Sequence, residues 1–338
     1  MPSTRRRTGP SIEDVARLAG VSAQTVSRVS TGAQGVRPAT RERVVAAMGK
    51  LGYSPNRVAR ALRNGTFGTI GLLAYRFDRT GPALITHAVT QAAEAEGYAV
   101  TLVDVTSPAP TGWETSVSRL SSQAIDGLVV IRTEAMLPDA LALPAGLPVV
   151  VSESRLDGRY PAVLSDQVGG TEAAVGHLLG LGHRTVHHLA GPEDSVPANL
   201  RLVTWRRCLE EAGLPVPAQW PGDWSAESGY RAGQRIALDR SITSVFCAND
   251  DMAFGLLRAL HEAGRRVPAD VSVVGFDGIE LTEFSWPPLT TVRQDFQAAG
   301  HELVRLVLEQ IQSRPSELNE RVVVPAQLIV RRTTAPPT

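Results

Sequence analysis

The stretch DVARLAGVSAQTVSRV, residues 14–29, decides how the N-terminal part of the chain folds. Ser11 resembles the first residue of a capping box, so a helix is expected to begin beside it and to end at Gly20. Ser22 can cap a second helix, which is expected to run to Ser30. Two short helices joined by a tight turn indicate a helix-turn-helix unit.

A third helix is expected to complete this N-terminal unit. Pro38 suits a first helical position, and Gly52 suits the position after the last one. The apolar residues recur at helical spacing, so they are expected to form one small core. The expected core positions are Val15, Leu18, Ala19, Val26, Val29, Val44, Met48 and Leu51.

The second helix carries side chains that suit DNA on the face opposite its valines. Gln24 and Arg28 are four residues apart, and they match the major-groove edges of adenine and guanine. Short donors near a helix start suit phosphates. The predicted DNA-contacting set of this helix is Ser22, Ala23, Gln24, Thr25, Ser27 and Arg28. A generic three-helix domain whose Gln and Arg are merely solvated is the alternative.

The distribution of charge supports a polyanionic partner. Residues 1–65 carry twelve Lys and Arg against three Asp and Glu, an excess of nine positive charges. The whole chain carries 34 of each kind, so residues 66–338 carry an excess of nine negative charges. A basic segment on an acidic body points to nucleic acid, and a solvated basic tail is the plainer reading.

Strand-like and helix-like segments alternate from Thr69 onward. The strand-like runs are TIGLLAY, YAVTLVDV, DGLVVI, LPVVVSE, TVHHLAG, SVFCAND and VSVVGFDG. Such alternation predicts an α/β fold of parallel sheets covered by helices on both faces, here in two lobes. Ligands of open α/β sheets bind beyond the carboxyl ends of the strands, so AND, GFDG and SESR are candidates for a site between the lobes.

Composition excludes several other classes. Cys208 and Cys247 are far apart, so core thiols in a reducing compartment are expected. No apolar run approaches the roughly 20 residues of a membrane span, and no signal peptide follows the first arginines. We therefore expect a cytoplasmic protein with no membrane partner. The sequence shows no metal-ligand spacing, and neither a metal nor a cofactor is expected.

Several segments together resemble the LacI/GalR family of bacterial repressors. SIEDVARLAGVSAQTVSRV and PNRVARAL are similar to the DNA-binding headpiece and hinge of that family, and HLLGLGHRTVHHLAGP, ANDDMAFGLLRAL, VSVVGFDG and PPLTTVRQDF to its regulatory core. The resemblance implies a core like the periplasmic binding proteins, a homodimer, and ligand-controlled binding to a pseudo-palindromic, double-stranded DNA operator.

The expected domains follow from this resemblance. They are a headpiece of residues 1–54, a hinge helix and linker of residues 55–67, an N-terminal lobe of residues 68–166 and 294–322, a C-terminal lobe of residues 167–293 and 323–333, and a tail of residues 334–338. The ending VRRTTAPPT carries no leucine heptads, so a dimer rather than a tetramer is expected.

The hinge segment PNRVARALRNG, residues 55–65, is too short for a stable isolated helix, since fewer than about 12 residues are marginal in water. The resemblance implies that it becomes helical when two subunits meet in the minor groove, where Leu62 acts as a wedge. Alternatively, Leu62 packs permanently on the core. The expected contact set is Asn56, Arg57, Ala59, Arg60 and Leu62.

For the ligand site, the chain is most similar to sugar-regulated members of the family. The positions that match their ligand contacts are Tyr75, Glu153, Arg201, Trp224, Asn249, Asp277, Gln294 and Phe296. Polar groups of this kind pair with hydroxyls, and an aromatic ring suits the C–H face of a sugar. Gln294 and Phe296 are expected on a strand that crosses between the lobes. Plain structural roles for Trp224, Asn249 and Asp277 are the alternative.

Departures from those members leave the particular glycoside open. Glu153 stands in place of an aspartate, and Tyr75 in place of a small serine, which is expected to shrink the pocket. Pro197 and Asn199 alter the run before Arg201. A galactoside-like inducer is expected, with a purine or other small-molecule corepressor as the alternative. An enzyme such as a glycosidase, or a transport-type sugar-binding protein, is disfavoured because neither requires a DNA-binding headpiece.

Overall fold

The 338-residue chain is described here by a computed structural model that covers residues 10–30, 35–53, 66–76, 78–105, 115–116, 119–120, 124–131, 146–153, 158–312 and 320–337. The chain divides into two compact units, Met1–Phe67 and Gly68–Thr338.

The first unit contains three helices, α1 (Ile12–Ala19), α2 (Ala23–Ser30) and α3 (Pro38–Leu51). The backbone N–H of Asp14 donates to Ser11 Oγ at 3.2 Å, and the backbone N–H of Ser11 donates to Asp14 Oδ2 at 2.9 Å. This reciprocal pair is the predicted capping box. The left-handed backbone of the glycines after α1 and α3 ends both helices where the sequence predicts.

The small core of this unit differs from expectation at one residue. Leu18 is 51% exposed, whereas Val15, Ala16 and Ala19 are buried. Ile12, Val15, Ala16 and Ala19 follow the i, i+3, i+4, i+7 pattern, and Leu18 falls outside that face. The prediction for Leu18 was therefore wrong, while Val26, Val29 and Val44 are buried as predicted.

The second unit begins with a lobe built on a six-stranded parallel sheet. Its strands are β1 (Thr69–Tyr75), β2 (Ala99–Val105), β3 (Gly127–Ile131), β4 (Val149–Ser152), β5 (Ala162–Ser165) and β11 (Arg321–Val324), in the order β11-β5-β4-β3-β1-β2. Helices α4 (Thr80–Ala95) and α10 (Phe296–Ile311) share one apolar cluster with the sheet. They can approach closely because Gly300 has no side chain: a Cβ there would lie 2.5 Å from that of Ala88.

The second lobe has the same plan. Its strands are β6 (His187–Ala190), β7 (Trp220–Pro221), β8 (Ser244–Cys247), β9 (Ser272–Asp277), β10 (Thr290–Gln294) and β12 (Ala326–Ile329), in the order β12-β10-β9-β8-β6-β7. All neighbours are parallel except β10 and β12. The helices are α5 (Gln167–Gly180), α6 (Val196–Glu211), α7 (Ala226–Ile236), α8 (Asp250–Glu262) and α9 (Leu281–Phe284).

The chain passes between the lobes three times, after β5, after β10 and between β11 and β12. The first passage lies between Ser165, the end of β5, and Gln167, the start of α5. The second comes one residue later than expected, because Gln294 still pairs in the second sheet. The third differs more: β11 belongs wholly to the first sheet, so the expected boundary between residues 322 and 323 falls inside a strand. The passage occurs at Pro325, which cannot donate a hydrogen bond to either ladder.

In the described part of the chain, we find no helix with the length and apolar character needed to cross a membrane.

Candidate functional site

A cavity of about 330 Å³ lies between the two lobes of the second unit. Parallel strands of both sheets end at this cleft, and the helices that follow them begin there, so side chains from strand ends and from first helical turns converge. Both lobes contribute polar side chains. This is the place that the strand pattern of the sequence predicts.

Arg201 lines the cavity. It projects from α6 and is 3% exposed. Its Nε donates to Gln167 Oε1 at 2.8 Å, an Nη donates to the carbonyl of Ala248, and the guanidinium lies 3.7 Å from the centroid of the Phe276 ring. These contacts hold the planar group in one orientation, so its remaining donors have a fixed direction.

Asp277 and Gln294 form the next part of this network. Gln294 Nε2 donates to Asp277 Oδ1 at 2.8 Å, and the same oxygen lies 3.7 Å from an Nη of Arg201. Burial raises the pKa of Asp277 to about 6, although the nearby Arg201 charge acts in the opposite direction. The site therefore contains an acceptor whose charge depends on pH near neutrality.

Glu153 supplies a second buried carboxylate, from the first lobe. The backbone N–H of Ser165 donates to its Oε1, and Gln167 Nε2 lies 3.4 Å from its Oε2. Burial raises the pKa of Glu153, and these hydrogen bonds and Arg201 partly oppose the rise. Gln167 therefore contacts residues of both lobes, which the sequence did not predict. Strand β5 could have indicated this residue, because Gln167 comes just after the end of that strand and begins α5.

Asn249 and Trp224 form the far side of the cavity. The backbone N–H of Met252 donates to Asn249 Oδ1 at 3.0 Å, which caps α8, and Asn249 Nδ2 donates to the carbonyl of Trp224 at 3.0 Å. The indole has room because Gly191 has no side chain: a Cβ there would lie 2.6 Å from the ring. Asn249 therefore lines the cavity and also has the structural role that the sequence left open as the alternative.

Backbone strain is concentrated at this cavity. Four described non-glycine residues have a left-handed backbone, namely Arg76 (φ 55°), Glu153 (φ 50°), Trp224 (φ 74°) and Asp277 (φ 112°). All four line the cavity. Such conformations cost about 1–3 kcal/mol each, and they cluster at functional sites.

A further side-chain hydrogen bond joins the two lobes beside the cavity. Thr80 Oγ1, at the start of α4 in the first lobe, donates to Asp251 Oδ2, at the start of α8 in the second lobe, at 2.6 Å. This contact bridges the mouth of the cleft.

The structure places seven of the eight expected ligand positions on the cavity wall. They are Glu153, Arg201, Trp224, Asn249, Asp277, Gln294 and Phe296. Phe296 is the first residue of α10 rather than part of a crossing strand. Tyr75 is a correction: it packs with the apolar cluster of Leu73, Val103 and Ile125. Side chains alternate along a strand, so Tyr75 shares the face of Leu73, and Arg76 reaches the cavity instead.

Three other titratable residues have structural roles. Asp250 is buried and accepts from the backbone N–H groups of Gly278 and Ile279 at 2.7 and 3.0 Å. His183 contacts Thr243 at 3.0 Å, and His188 contacts the carbonyl of Phe246 at 2.9 Å. Within the described ranges, no group of His, Cys, Asp and Glu could hold a metal ion.

In the headpiece, α2 presents the predicted face. Gln24 and Arg28 are exposed, opposite the buried Val26 and Val29. Ser22 Oγ accepts from the backbone N–H of Thr25 at 3.2 Å, so it caps the helix. The predicted hinge contacts Asn56, Arg57, Ala59, Arg60 and Leu62 lie outside the described residues.

A helix-turn-helix unit followed by a two-lobed core with a polar interlobe cavity defines a DNA-binding transcription regulator. Comparison with protein families agrees. Residues 11–56 match the family of bacterial regulatory proteins named after lacI, and residues 175–334 match the periplasmic binding protein-like domain.

Curated relatives extend the match over the whole chain. The lactose operon repressor of Escherichia coli (strain K12) is 36% identical over 328 residues, which cover 96% of this chain and 90% of that protein. The transcriptional repressor PurR of Haemophilus influenzae (strain PittEE) is 31% identical over 95% of this chain and 97% of that protein. The chain belongs to the LacI family of bacterial regulatory proteins and is a DNA-binding transcriptional repressor.

Solved structures show the same fold. The lac repressor dimer bound to operator and the anti-inducer ONPF is 34% identical, with a TM-score of 0.85 over 97% of this chain and all of that one. The complex of the transcriptional regulator CelR with cellobiose is 33% identical, with a TM-score of 0.70 over 96% of this chain and 99% of that one.

Proposed function

We propose that a galactoside-like sugar, which presents several ring hydroxyls and one apolar face, binds in the interlobe cavity and releases this repressor from its operator. The observation that carries the proposal is the buried network of Arg201, Asp277, Gln294 and Glu153, with Trp224 beside it.

The chemistry of this network suits hydroxyl groups. A hydroxyl both donates and accepts, so it needs carboxylate acceptors and nitrogen donors close together. Asp277 and Glu153 provide the acceptors, while Arg201 and Asn249 provide the donors. The Trp224 ring, whose centroid is 5.5 Å from the Arg201 guanidinium, offers an apolar surface. The relatives in complex with ONPG and with cellobiose support the same class of ligand.

We propose that α2 reads the operator. Gln24 and Arg28 would contact base edges in the major groove, and Ser22, Thr25 and Ser27 would contact phosphates, with Ala23 at the helix start. The hinge set that includes Leu62 would enter the minor groove. A pseudo-palindromic operator then requires two copies of the chain.

A homodimer fits one surface of the core. Three large apolar side chains lie close together in sequence, on and after α9. They are Leu281, Phe284 and Trp286, which are 57%, 71% and 90% exposed. Exposed aromatic residues of this kind mark interaction surfaces. The operator-bound relative is itself a dimer.

Release would follow from linkage. A ligand that favours one arrangement of the two lobes shifts the dimer towards it, and the operator favours the other. Operator DNA must then weaken sugar binding by the same factor by which the sugar weakens operator binding. A purine corepressor, the second candidate, would instead strengthen operator binding. The match to PurR over 95% of this chain is the reason to test purines as well.

The test is a thermal-shift screen of the full-length protein with monosaccharides, disaccharides and purine bases, since any true ligand raises the Tm. We expect a sugar to stabilise the protein, and Arg201→Ala to abolish the shift. The same sugar should release a duplex that the protein itself selects from random sequence. Stabilisation by a purine alone, or a sugar that binds without changing DNA affinity, would overturn the inducer assignment.

A further inference from the structure

The side chain of Gln167 belongs to a closed ring of polar contacts in the cavity wall. Arg201 Nε donates to Gln167 Oε1 at 2.8 Å, and Gln167 Nε2 donates to Gln294 Oε1 at 3.2 Å. Gln294 Nε2 donates to Asp277 Oδ1 at 2.8 Å, and this oxygen lies 3.7 Å from an Nη of Arg201, which closes the ring. All four residues belong to the second lobe and are at most 8% exposed.

A branch from this ring reaches the first lobe. Gln167 Nε2 also lies 3.4 Å from Oε2 of Glu153, which follows β4. The other carboxylate oxygen, Oε1, accepts from the backbone N–H of Ser165, the last residue of β5. Ser165 and Gln167 are two residues apart, on either side of the first passage between the lobes. The two oxygens of Glu153 are thus held by opposite lobes, one oxygen by each.

The chemistry of the partners fixes the direction of these hydrogen bonds. A guanidinium can only donate, and an ionised carboxylate can only accept. The amide of Gln167 must therefore turn its oxygen to Arg201 and its nitrogen to Glu153, because a rotation by 180° would break both contacts. The amide cannot adjust to a different arrangement of the lobes by exchanging its two ends.

We infer that Gln167 is the positioning residue that couples occupancy of the cavity to the arrangement of the two lobes. The inference rests on the proposed sugar function, since Arg201 and Glu153 are proposed ligand contacts. A sugar hydroxyl that donates to Glu153 shares that acceptor with Gln167 and weakens the longest hydrogen bond of the network. Rotation of the lobes about the first passage changes the same distance, because the two residues lie in different lobes. Occupancy at the ring is thereby transmitted to the first lobe.

The test compares operator binding of the full-length protein with and without saturating sugar. The probes are lactose and methyl β-galactoside, and the DNA is the duplex that the protein selects from random sequence. Calorimetric titration first gives the sugar Kd of each variant, which shows that the variant folds and sets the saturating concentration. The ratio of the two operator affinities then measures coupling alone, because a variant that only weakens sugar binding leaves this ratio unchanged.

The first variant removes the hydrogen bonds of Gln167. Gln167→Met keeps the length of the side chain, and we expect the ratio to fall towards one by about tenfold, since a hydrogen bond to a charged group contributes about that factor. Gln297→Met is the matched control. It makes the same change at an exposed glutamine whose Nε2 donates to Gln91 Oε1 at 3.1 Å within the first lobe, and the ratio should stay that of the parent chain.

A swap of the two partners separates coupling from packing. Gln167→Glu alone places two carboxylates together and should lower the ratio as Gln167→Met does. Combining it with Glu153→Gln restores one donor and one acceptor at the same place, with the direction of the hydrogen bond reversed. The double variant should therefore recover a larger ratio than Gln167→Glu, which a merely structural role of Gln167 does not predict. This comparison also decides the matter if Gln167→Met fails to fold.

Two results would overturn the inference in distinguishable ways. If Gln167→Met keeps the ratio of the parent chain, or if the swap recovers nothing, Gln167 does not carry the coupling and the sugar function stands. If neither sugar binds the parent chain, or if binding leaves its operator affinity unchanged, the proposed function is wrong, and the inference falls with it.

Discussion

The two walls of the cavity are ordered to different degrees. On the second-lobe wall, Arg201, Asp277 and Gln294 are at most 8% exposed; Gln294 donates a hydrogen bond to Asp277, and Arg201 forms an ion pair with it. On the first-lobe wall, Glu153 is also buried and hydrogen-bonded, but Arg76 and Asp78 are exposed. The second-lobe wall is therefore ordered by its own contacts, whereas only part of the first-lobe wall is.

This difference suggests how one fold serves different ligands. A preorganised wall fixes the orientation of a polar ring at little cost, because its side chains are already ordered. The less constrained wall can change without unfolding the lobe, so selectivity can reside there. Three predictions test the contrast.

The largest effect is expected on the organised wall. Arg201→Ala should lower the free energy of unfolding by about 3–5 kcal/mol, because it leaves the buried Asp277 without its cation. Urea denaturation measures this loss. Adding Asp277→Asn to the variant should restore part of it, since no buried charge then remains unpaired there. Arg184→Ala, at an exposed position, should change stability by less than about 0.5 kcal/mol.

The second effect is a pH dependence on the same wall. The pKa of Asp277 is about 6 in the folded chain and about 3.9 in an unfolded one, so the folded state binds the proton more tightly. The contribution of Asp277 to stability should therefore be present below pH 4 and be lost as the pH rises through 6. Asp277→Asn removes this dependence. The parent chain should lose stability relative to the variant between pH 4 and 7; a constant difference would contradict the raised pKa.

The smallest effect is expected where the walls meet. The Thr80–Asp251 hydrogen bond at the rim should contribute about 1 kcal/mol. A double-mutant cycle of Thr80→Val and Asp251→Ala, followed by urea denaturation, isolates it. The two changes should be less than additive by that amount, and strictly additive effects would show that the contact does not join the lobes.

The sequence predicted the organised wall better than the other. Asn249 follows the apolar strand β8, and Asp277 ends the apolar strand β9, so their places at the cavity could be derived from the strand-end rule. Arg201 lies on a helix between strands, so the family resemblance was needed to find it. Gln167 was missed because β5 is a four-residue strand with no strong apolar run before it.

The errors on the first-lobe wall have a common cause. Tyr75 and Arg76 are adjacent in sequence, and the alternation of a strand sends their side chains in opposite directions. A resemblance in position could not decide which of them faces the cavity, since the answer depends on where β1 ends.

The three passages between the lobes affect how the protein is made. Chains emerge from the ribosome N-terminal end first. The first sheet acquires its edge strand β11, and the cover of helix α10, after the whole second sheet except β12 has been synthesised. The headpiece is thus complete long before the cavity that would control it. A polypeptide truncated before residue 321 would carry a finished DNA-reading unit on a core with neither closing strand.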